Sequence, residues 1–296
     1  MTFENYLNNR NDIVLSSSQQ ELVHSISTFL TDTNGPQCFI LRGSAGSGKT
    51  FIGSLIKAYS SQGTYIFTPT GRAAKIFRSM VKDPEHRTLI STIHHGIYKH
   101  SRVEDEYLSG KSRIPENLES SKTIFKIREN LNSNNAVYIC DESSMISDKN
   151  NHNSGLEFGT GNLLSDLFTH IGDRKVIFIG DHAQLTPINM EYSPALDESY
   201  IQDKFDVKVA DFELKEVMRH KKDSGILKNA IKIRDNIIDK ENNPIRATSE
   251  SDVEFINHNN VIDIAHDSFH PDRFSDFTVV THTRKLSQEY NFSIRE

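Results

Sequence analysis

The sequence has little cysteine, no tryptophan and no long apolar run, and these absences exclude several classes of protein. Two cysteines, Cys38 and Cys140, are too few for a disulfide framework, so we expect a reducing compartment and predict the cytoplasm. No apolar stretch approaches the roughly 20 residues of a membrane-spanning helix, so no membrane partner is expected. The first residues also lack the basic region and apolar stretch of a signal peptide.

An excess of positive charge is lacking as well. The chain has 34 basic and 40 acidic residues and a formal net charge of −6. A basic excess over a whole domain is the usual sign of nucleic-acid binding, but a binding groove needs only a local basic patch. Composition therefore leaves nucleic-acid binding open, and 296 residues predict one large domain or two smaller ones.

The most informative segment is a glycine-rich loop at residues 43–50, which fills every fixed position of G-x-x-x-x-G-K-[ST]. An apolar strand sequence precedes it, and a helix-forming sequence follows. The glycines let backbone N–H groups approach phosphate oxygens, and the helix N-terminus favours negative charge. Lys49 can reach the β- and γ-phosphates of ATP, and the Thr50 hydroxyl can hold Mg²⁺. The predicted nucleotide contacts in the loop are Gly43, Ser44, Ala45, Gly46, Ser47, Gly48, Lys49 and Thr50.

Strand and helix patterns alternate along the chain, which predicts an α/β fold with a mainly parallel sheet and helices on both faces. Helical spacing of apolar residues predicts a helix over 15–30, and the last apolar run predicts a strand and a turn over 276–283. Residues 97–130 are rich in charged and turn residues and predict a surface insertion. The glycine-rich stretch 149–161 predicts a mobile loop.

Four of the predicted strands end in polar residues at their carboxyl ends, which is where ligands bind in open α/β sheets. Asp141 would hold Mg²⁺ and Glu142 would polarise an attacking water. Gln184 could sense a γ-phosphate because its amide both donates and accepts hydrogen bonds, and Arg219 could stabilise developing charge. Taken singly, each signal also has a structural explanation: Asp141 and Glu142 as the exit of a strand, Gln184 as part of a polar loop, and Arg219 as a surface arginine. Together with the phosphate loop they predict a site for ATP hydrolysis.

The helix predicted from residue 72 to about 82 has a basic side that carries Arg72, Lys75 and Arg78. Its apolar residues, including Ile76 and Met80, share the other side. The basic side fits either a solvated surface or a contact with a phosphate backbone.

The order of the motifs resembles that of superfamily 1 helicases of the RecD and Dda type, which move 5′ to 3′ on single-stranded DNA. The matching segments are the glutamine motif at 15–19, motif I at 43–50, motif Ia at 68–75, Thr-Ile-His at 92–94, motif II at 141–145, motif III at 180–188, Leu-x-Glu-Val-x-Arg at 214–219 and the opening of the second motor domain at 279–284. The resemblance implies a RecA-like P-loop NTPase in which Gln19 reads adenine and Arg219 reaches the γ-phosphate. It implies DNA contacts by Pro69, Thr70, Arg72, Lys75, Thr92 and His94.

The resemblance further implies an ATP- and Mg²⁺-dependent DNA helicase or translocase acting on single-stranded DNA or a forked duplex, with other replication or recombination proteins as further expected partners. Residues 1–240 would form the motor domain, and residues 241–296 a linker and the incomplete start of a second domain. Because that second domain completes the ATP site in the family, we expect slow hydrolysis by the chain alone.

A nucleotide-gated module that binds DNA or protein without unwinding is the alternative. A small-metabolite kinase would need an arginine-rich lid and an acceptor pocket, and both the segment 68–75 and Gln184 at a strand end fit that poorly.

Overall fold

The computed structural model describes residues 1–60, 63–81, 83–100, 123–150, 156–215, 224–238, 247–257, 260–268 and 278–294. Its contacts divide the chain into two compact units, Met1–His220 and Lys221–Glu296. The predicted boundary near residue 240 lies in a segment outside the described residues, and the assignment of two motor domains stays a prediction.

The first unit is built on six parallel strands in the order β3-β2-β6-β8-β1-β9. A parallel pair needs a crossover connection, so helices must cover the faces of this sheet. The α/β class with a mainly parallel sheet is therefore confirmed. The strands are β1 Cys38–Gly43, β2 Thr64–Thr68, β3 Ile90–Thr92, β4 Tyr98–His100, β5 Thr123–Ile127, β6 Val137–Cys140, β7 Leu156–Phe158, β8 Lys175–Gly180 and β9 Val209–Leu214.

Helices cover both faces of the sheet, as alternation along β1 shows. Phe39 and Leu41 pack with α1 to α4 on one face, whereas Cys38 and Ile40 pack with α6, α7 and α8 on the other. The helices of this unit are α1 Phe3–Asn8, α2 Ser17–Thr31, α3 Lys49–Ser60, α4 Gly71–Met80, α5 Pro84–Arg87, α6 Ile93–Ile97, α7 Leu163–Ile171 and α8 Glu198–Phe205. Across the described ranges, no helix is long and apolar enough to cross a membrane.

Helix α2 confirms the predicted helix and shows how its start is fixed. The Ser16 side chain accepts the Gln19 backbone N–H at 3.4 Å, and the Gln19 side-chain oxygen accepts the Ser16 N–H at 3.1 Å. This reciprocal capping box satisfies two N–H groups that the first helical turn would leave unpaired. It also holds Gln19 in one orientation.

A second, three-stranded sheet has the order β4-β5-β7, and two of its strands, β4 and β5, fall within the predicted insertion 97–130. Strands β4 and β5 are antiparallel and β7 joins β5 in parallel. The middle of the predicted insertion, 101–122, lies outside the described residues. The prediction of a mobile loop over 149–161 was wrong for its second half, because residues 156–158 form β7; residues 151–155 lie outside the described part.

The glycines after β7 form a turn around the carboxylate of Asp166, which is completely buried. That carboxylate accepts hydrogen bonds from the Thr160 hydroxyl at 2.6 Å and from the Tyr98 hydroxyl at 2.6 Å. Gly159 has φ +48°, and a Cβ there would lie 2.1 Å from the Asp166 oxygen. The glycines therefore serve a packing role that sequence periodicity does not reveal.

The described residues of the second unit form the helices α9 Gly225–Ile238, α10 Val261–Ser268 and α11 Arg284–Ser293. Asp252 caps α9 by accepting the Gly225 N–H at 2.7 Å, and Asn229 donates to the Thr248 carbonyl at 2.9 Å. Residues 278–283 are not extended into a strand, so the predicted strand over 276–283 was wrong for the part that the structure describes.

Candidate nucleotide-binding site

Three segments with polar side chains meet at the carboxyl end of the central sheet. The glycine loop follows β1, Asp141 and Glu142 follow β6, and residues 181–184 follow β8. Because β8 lies between β1 and β6, the three segments are neighbours. In open α/β sheets this edge is where ligands bind.

The loop takes its shape from two glycines in the left-handed region, Gly46 at φ 81° and Gly48 at φ 92°. A Cβ on Gly48 would lie 2.5 Å from the side-chain nitrogen of Gln19. Within the loop, the Ser47 hydroxyl donates to the Ser44 carbonyl at 2.9 Å. The loop is a tight backbone cradle that a side chain at position 48 would fill.

The Lys49 ammonium lies against the loop itself. Its Nζ donates to the Gly43 carbonyl at 2.7 Å and to the Ser44 carbonyl at 2.9 Å. The geometry places a positive charge over the cradle, where it can exchange carbonyl oxygens for phosphate oxygens.

The loop hydroxyl and the carboxylate after β6 are in direct contact. Thr50 Oγ1 donates to Asp141 Oδ2 at 3.1 Å, across 91 residues of sequence. The other Asp141 oxygen accepts the Glu142 backbone N–H at 3.0 Å. Folding thus brings together two hard oxygen ligands of the kind that Mg²⁺ prefers.

Asp141 is held in an environment that disfavours its charge. Asp141 is only 6% exposed, and burial is the main reason that the pKa of its carboxyl group rises from 3.8 to about 6. The neighbouring Glu142 carboxylate raises this pKa further, whereas the hydrogen bonds from Glu142 N–H and Thr50 and the charge of Lys49 lower it. A cation bound at this carboxylate would lower the pKa of Asp141 and favour its charged form.

Glu142 has left-handed backbone angles, φ 55° and ψ 39°, which are uncommon for a residue with a side chain. It begins a 3₁₀ turn, Ser143–Met145. Strained backbone of this kind concentrates at functional sites, where the surrounding structure holds it in place.

Gln19 lies beside the loop, but both ends of its amide have partners. Its Oε1 accepts the Ser16 N–H, and its Nε2 donates to the Ser47 carbonyl at 3.2 Å. The side chain therefore ties α2 to the phosphate loop. Its reading of adenine stays a prediction, and such reading would require these bonds to be exchanged.

A pocket of about 680 Å³ opens above the loop, within the range of roughly 300–1,000 Å³ usual for small-molecule sites. Gln19, Lys49, Thr50, Asp141, Glu142 and Gln184 all line it, so the structure brings these predicted residues together. Arg219 lies outside the described residues. Also among the lining residues are five large apolar side chains to which the sequence analysis gave no role at the site: Val14, Phe51, Ile76, Met80 and Met145.

The apolar assignment of α4 needs correction. Ala74 and Phe77 are buried as predicted, but Ile76 is 48% exposed and Met80 is 40% exposed. Both line the pocket, and so does Arg72, which was predicted to lie on the opposite side. The apolar side of α4 is wider than the area of the helix that packs on the sheet. Its edge, which carries Ile76 and Met80, therefore faces the pocket.

The predicted DNA contacts lie at the ends of β2 and β3 and in α4 and α6. Thr70 and Thr92 cap these two helices, accepting the Ala73 N–H at 3.2 Å and the His95 N–H at 3.3 Å. Their hydroxyls thus have a local structural partner. The other predicted contacts are Pro69 directly after β2, the exposed Lys75, and His94, whose pKa is lowered by burial.

No group of three or more His, Cys, Asp or Glu side chains that could hold a metal ion occurs in the described part of the chain. Mg²⁺ bound with a nucleotide needs no such cage, because phosphates and waters supply most of its ligands. One carboxylate and one hydroxyl, as at Asp141 and Thr50, fit that chemistry.

Comparison with solved structures returns Pif1 helicases. A structure of DNA unwinding at forked duplex DNA by two coordinating Pif1 helicases has 16% identity and a TM-score of 0.44, with 94% of this chain and 57% of that chain covered. A Bacteroides Pif1 helicase with ADP-AlF3 and single-stranded DNA has 17% identity and a TM-score of 0.41, with 91% and 59% covered. The chain thus spans under two thirds of each protein.

No curated protein sequence matches the chain at a significant level. A family profile described as an AAA domain, AAA_30, matches residues 14–251. This range contains the phosphate loop and every other segment that lines the pocket. The chain therefore belongs to the AAA_30 family of AAA domains, which is typical of superfamily 1 helicases.

Proposed function

We propose that this chain is the ATP- and Mg²⁺-dependent motor domain of a DNA helicase or translocase of the RecD and Dda type. The observation that carries the proposal is the contact between Thr50 and Asp141, with Glu142 next in sequence. A loop hydroxyl, a carboxylate and an adjacent second carboxylate are the groups that ATP hydrolysis requires at this position.

Each residue has a definite task in this proposal. The loop N–H groups and Lys49 bind the phosphates, and Thr50 and Asp141 would hold Mg²⁺, which would supply charge neutralisation for phosphoryl transfer. Glu142 accepts a proton from the attacking water, because a carboxylate beside the site is the available base. Gln184, on the loop after β8, senses the γ-phosphate.

The DNA partner is supported by position. Lys75 on α4 and His94 on α6 follow the carboxyl ends of β2 and β3, the two strands beyond β6 in the sheet order, and Lys75 is exposed. Since the nucleotide and DNA residues share one edge of one sheet, a change at the phosphates can alter the DNA contacts over a short distance. We include single-stranded DNA as the substrate on this ground.

The test is phosphate release from ATP with and without single-stranded DNA, for the wild type, Lys49→Ala and Glu142→Gln. We expect DNA to raise the rate, and both substitutions to lower it by about a hundredfold or more. Glu142→Gln should still bind ATP, because the amide keeps the size of the side chain and loses only the base.

If ATP binds and DNA leaves the rate unchanged, the motor is refuted and a nucleotide-gated binding module is favoured. If the wild type binds no nucleotide in the presence of Mg²⁺, the site assignment itself is wrong.

A further inference from the structure

Helix α4 begins at the end of β2 and forms one wall of the nucleotide pocket. Its pocket-lining positions include Arg72, Ile76 and Met80, which are four residues apart and so share one side of the helix. Ala74 and Phe77 face the sheet instead. The pocket side of α4 therefore consists of apolar side chains and one guanidinium at the N-terminal end.

The three cations of α4 have different surroundings. Arg78 is held by the protein, because its Nε and Nη2 both donate to the Ile90 carbonyl, at 3.0 and 2.5 Å. Lys75 is exposed and does not line the pocket. At about 100° per residue it lies about 60° from Arg72, on the side away from Ile76.

Arg72 differs from both. It is exposed and lines the pocket, and it makes no hydrogen bond or ion pair with any residue that the structure describes. Its guanidinium carries five donors and stays charged at all relevant pH values. With no partner among the described residues, the guanidinium of Arg72 is available to bind the phosphate groups of a ligand in this pocket.

The charges of the pocket also favour a phosphate contact by Arg72. Among the described residues that line it, Lys49 and Arg72 are the cations, and Asp141 and Glu142 are the anions. These charges cancel, whereas a nucleoside triphosphate with one Mg²⁺ brings a net negative charge. With Mg²⁺ bound, the metal and Lys49 would still leave the phosphates and the two carboxylates with an excess of negative charge, so a second cation at the wall is electrostatically favourable.

We propose that Arg72 is a nucleotide-binding residue that contacts the phosphates of the bound nucleotide, and that Lys75 is the cation of α4 that contacts the DNA backbone. The proposal rests on the proposed function, because it assumes a nucleotide in this pocket. A guanidinium binds phosphate with two parallel hydrogen bonds, which a lysine cannot reproduce. One helix would then contact nucleotide and DNA with residues three positions apart.

The experiment measures two affinities without turnover. Binding of a fluorescent ATP analogue with Mg²⁺, and binding of a labelled single-stranded oligonucleotide at 50, 100 and 200 mM salt, are compared for the wild type, Arg72→Gln, Arg72→Lys and Lys75→Ala. Lys49→Ala reports whether the pocket binds the nucleotide at all. Arg72→Gln keeps much of the side-chain length, and circular dichroism confirms that each variant is folded.

We expect Arg72→Gln to weaken nucleotide binding about ten- to a hundredfold and to leave the salt dependence of DNA binding unchanged. Arg72→Lys should recover only part of the affinity. Lys75→Ala should leave nucleotide affinity within twofold of the wild type and lower the slope of DNA affinity against salt by about one.

Nucleotide affinity within twofold of the wild type in Arg72→Gln would overturn the proposal, and so would an equal loss of DNA binding in that variant. Failure of the proposed function looks different. In that case the wild type and Lys49→Ala bind the analogue equally weakly, and the assignment of Arg72 falls with the site.

Discussion

Replacing Asp141 with asparagine should stabilise the nucleotide-free chain at neutral pH, although it removes a proposed metal ligand. The carboxylate is buried, and its charge is opposed by burial and by the adjacent Glu142. Asparagine has nearly the same shape but no charge. The substitution therefore removes a desolvation cost while it keeps an oxygen that can accept one of the two hydrogen bonds.

The size of the effect follows from the shift in pKa. Asp141 rises from 3.8 to about 6 on folding, and each pKa unit corresponds to about 1.4 kcal/mol. Ionised Asp141 thus costs on the order of 3 kcal/mol at pH 7. Because the folded pKa is the higher one, full stability is present below pH about 4 and is lost as the pH rises to about 6. The Thr50 hydroxyl oxygen can accept one N–H of the asparagine amide, but the other N–H gains no acceptor among the hydrogen-bond partners of Asp141, so we expect a net gain of about 1–2 kcal/mol.

The assay is urea unfolding followed by circular dichroism, since the chain has no tryptophan to report by fluorescence. Wild type and Asp141→Asn are compared at pH 4.5 and pH 7.5 without nucleotide or Mg²⁺. The matched control is Asp148→Asn. The Asp148 carboxylate is also buried, but it faces the Lys204 ammonium and accepts the Tyr200 hydroxyl at 2.7 Å.

The difference between Asp141→Asn and the wild type should grow in favour of the variant between the two pH values. Asp148→Asn should instead destabilise at pH 7.5, by about 2 kcal/mol, because it leaves the Lys204 ammonium without its counter-ion. A difference for Asp141→Asn that is the same at both pH values would refute the reasoning, since only titration of this carboxylate makes it depend on pH.

Three further substitutions test individual contacts. Gln19→Ala should lower the free energy of unfolding by about 1 kcal/mol and also weaken nucleotide binding, because Gln19 contacts the phosphate loop. Ser16→Ala should lower the free energy of unfolding alone, because Ser16 does not contact the loop. Equal nucleotide affinities in the two variants would contradict this. Gly159→Ala should cost more than 1 kcal/mol in urea unfolding, because its φ is +48° and its Cβ would meet a carboxylate, while Gly71→Ala, with open space around it, should be close to neutral. Arg78→Ala should lower the thermal midpoint of unfolding, because the Ile90 carbonyl loses its hydrogen bonds, and it should leave nucleotide and DNA affinities unchanged. A loss of DNA affinity in this variant would show that Arg78 contacts the phosphate backbone of DNA instead.

Much of the fold could be predicted from the sequence because its signals are local. The capping residues and apolar spacing of α2 lie within one segment, and so do the strand, turn and helix around Lys49. The small sheet could not be predicted, since β7 is three residues long and gains its stability from pairing with β5. The glycines after β7 indicated a mobile loop only because their partner, Asp166, lies on α7.

The phosphate loop and the carboxylates after later strands can be predicted from local sequence, because the chemistry of these motifs depends on residues that are close together in the chain. The contact of Thr50 with Asp141 and that of Gln19 with the loop depend on the folded structure. It also decided that Arg72 faces the pocket while Arg78 is bound to the protein. Helical periodicity defines which residues share a side, but the direction in which that side faces depends on where the sheet and the neighbouring loop lie. That direction is a property of packing between distant segments, and no local pattern encodes it.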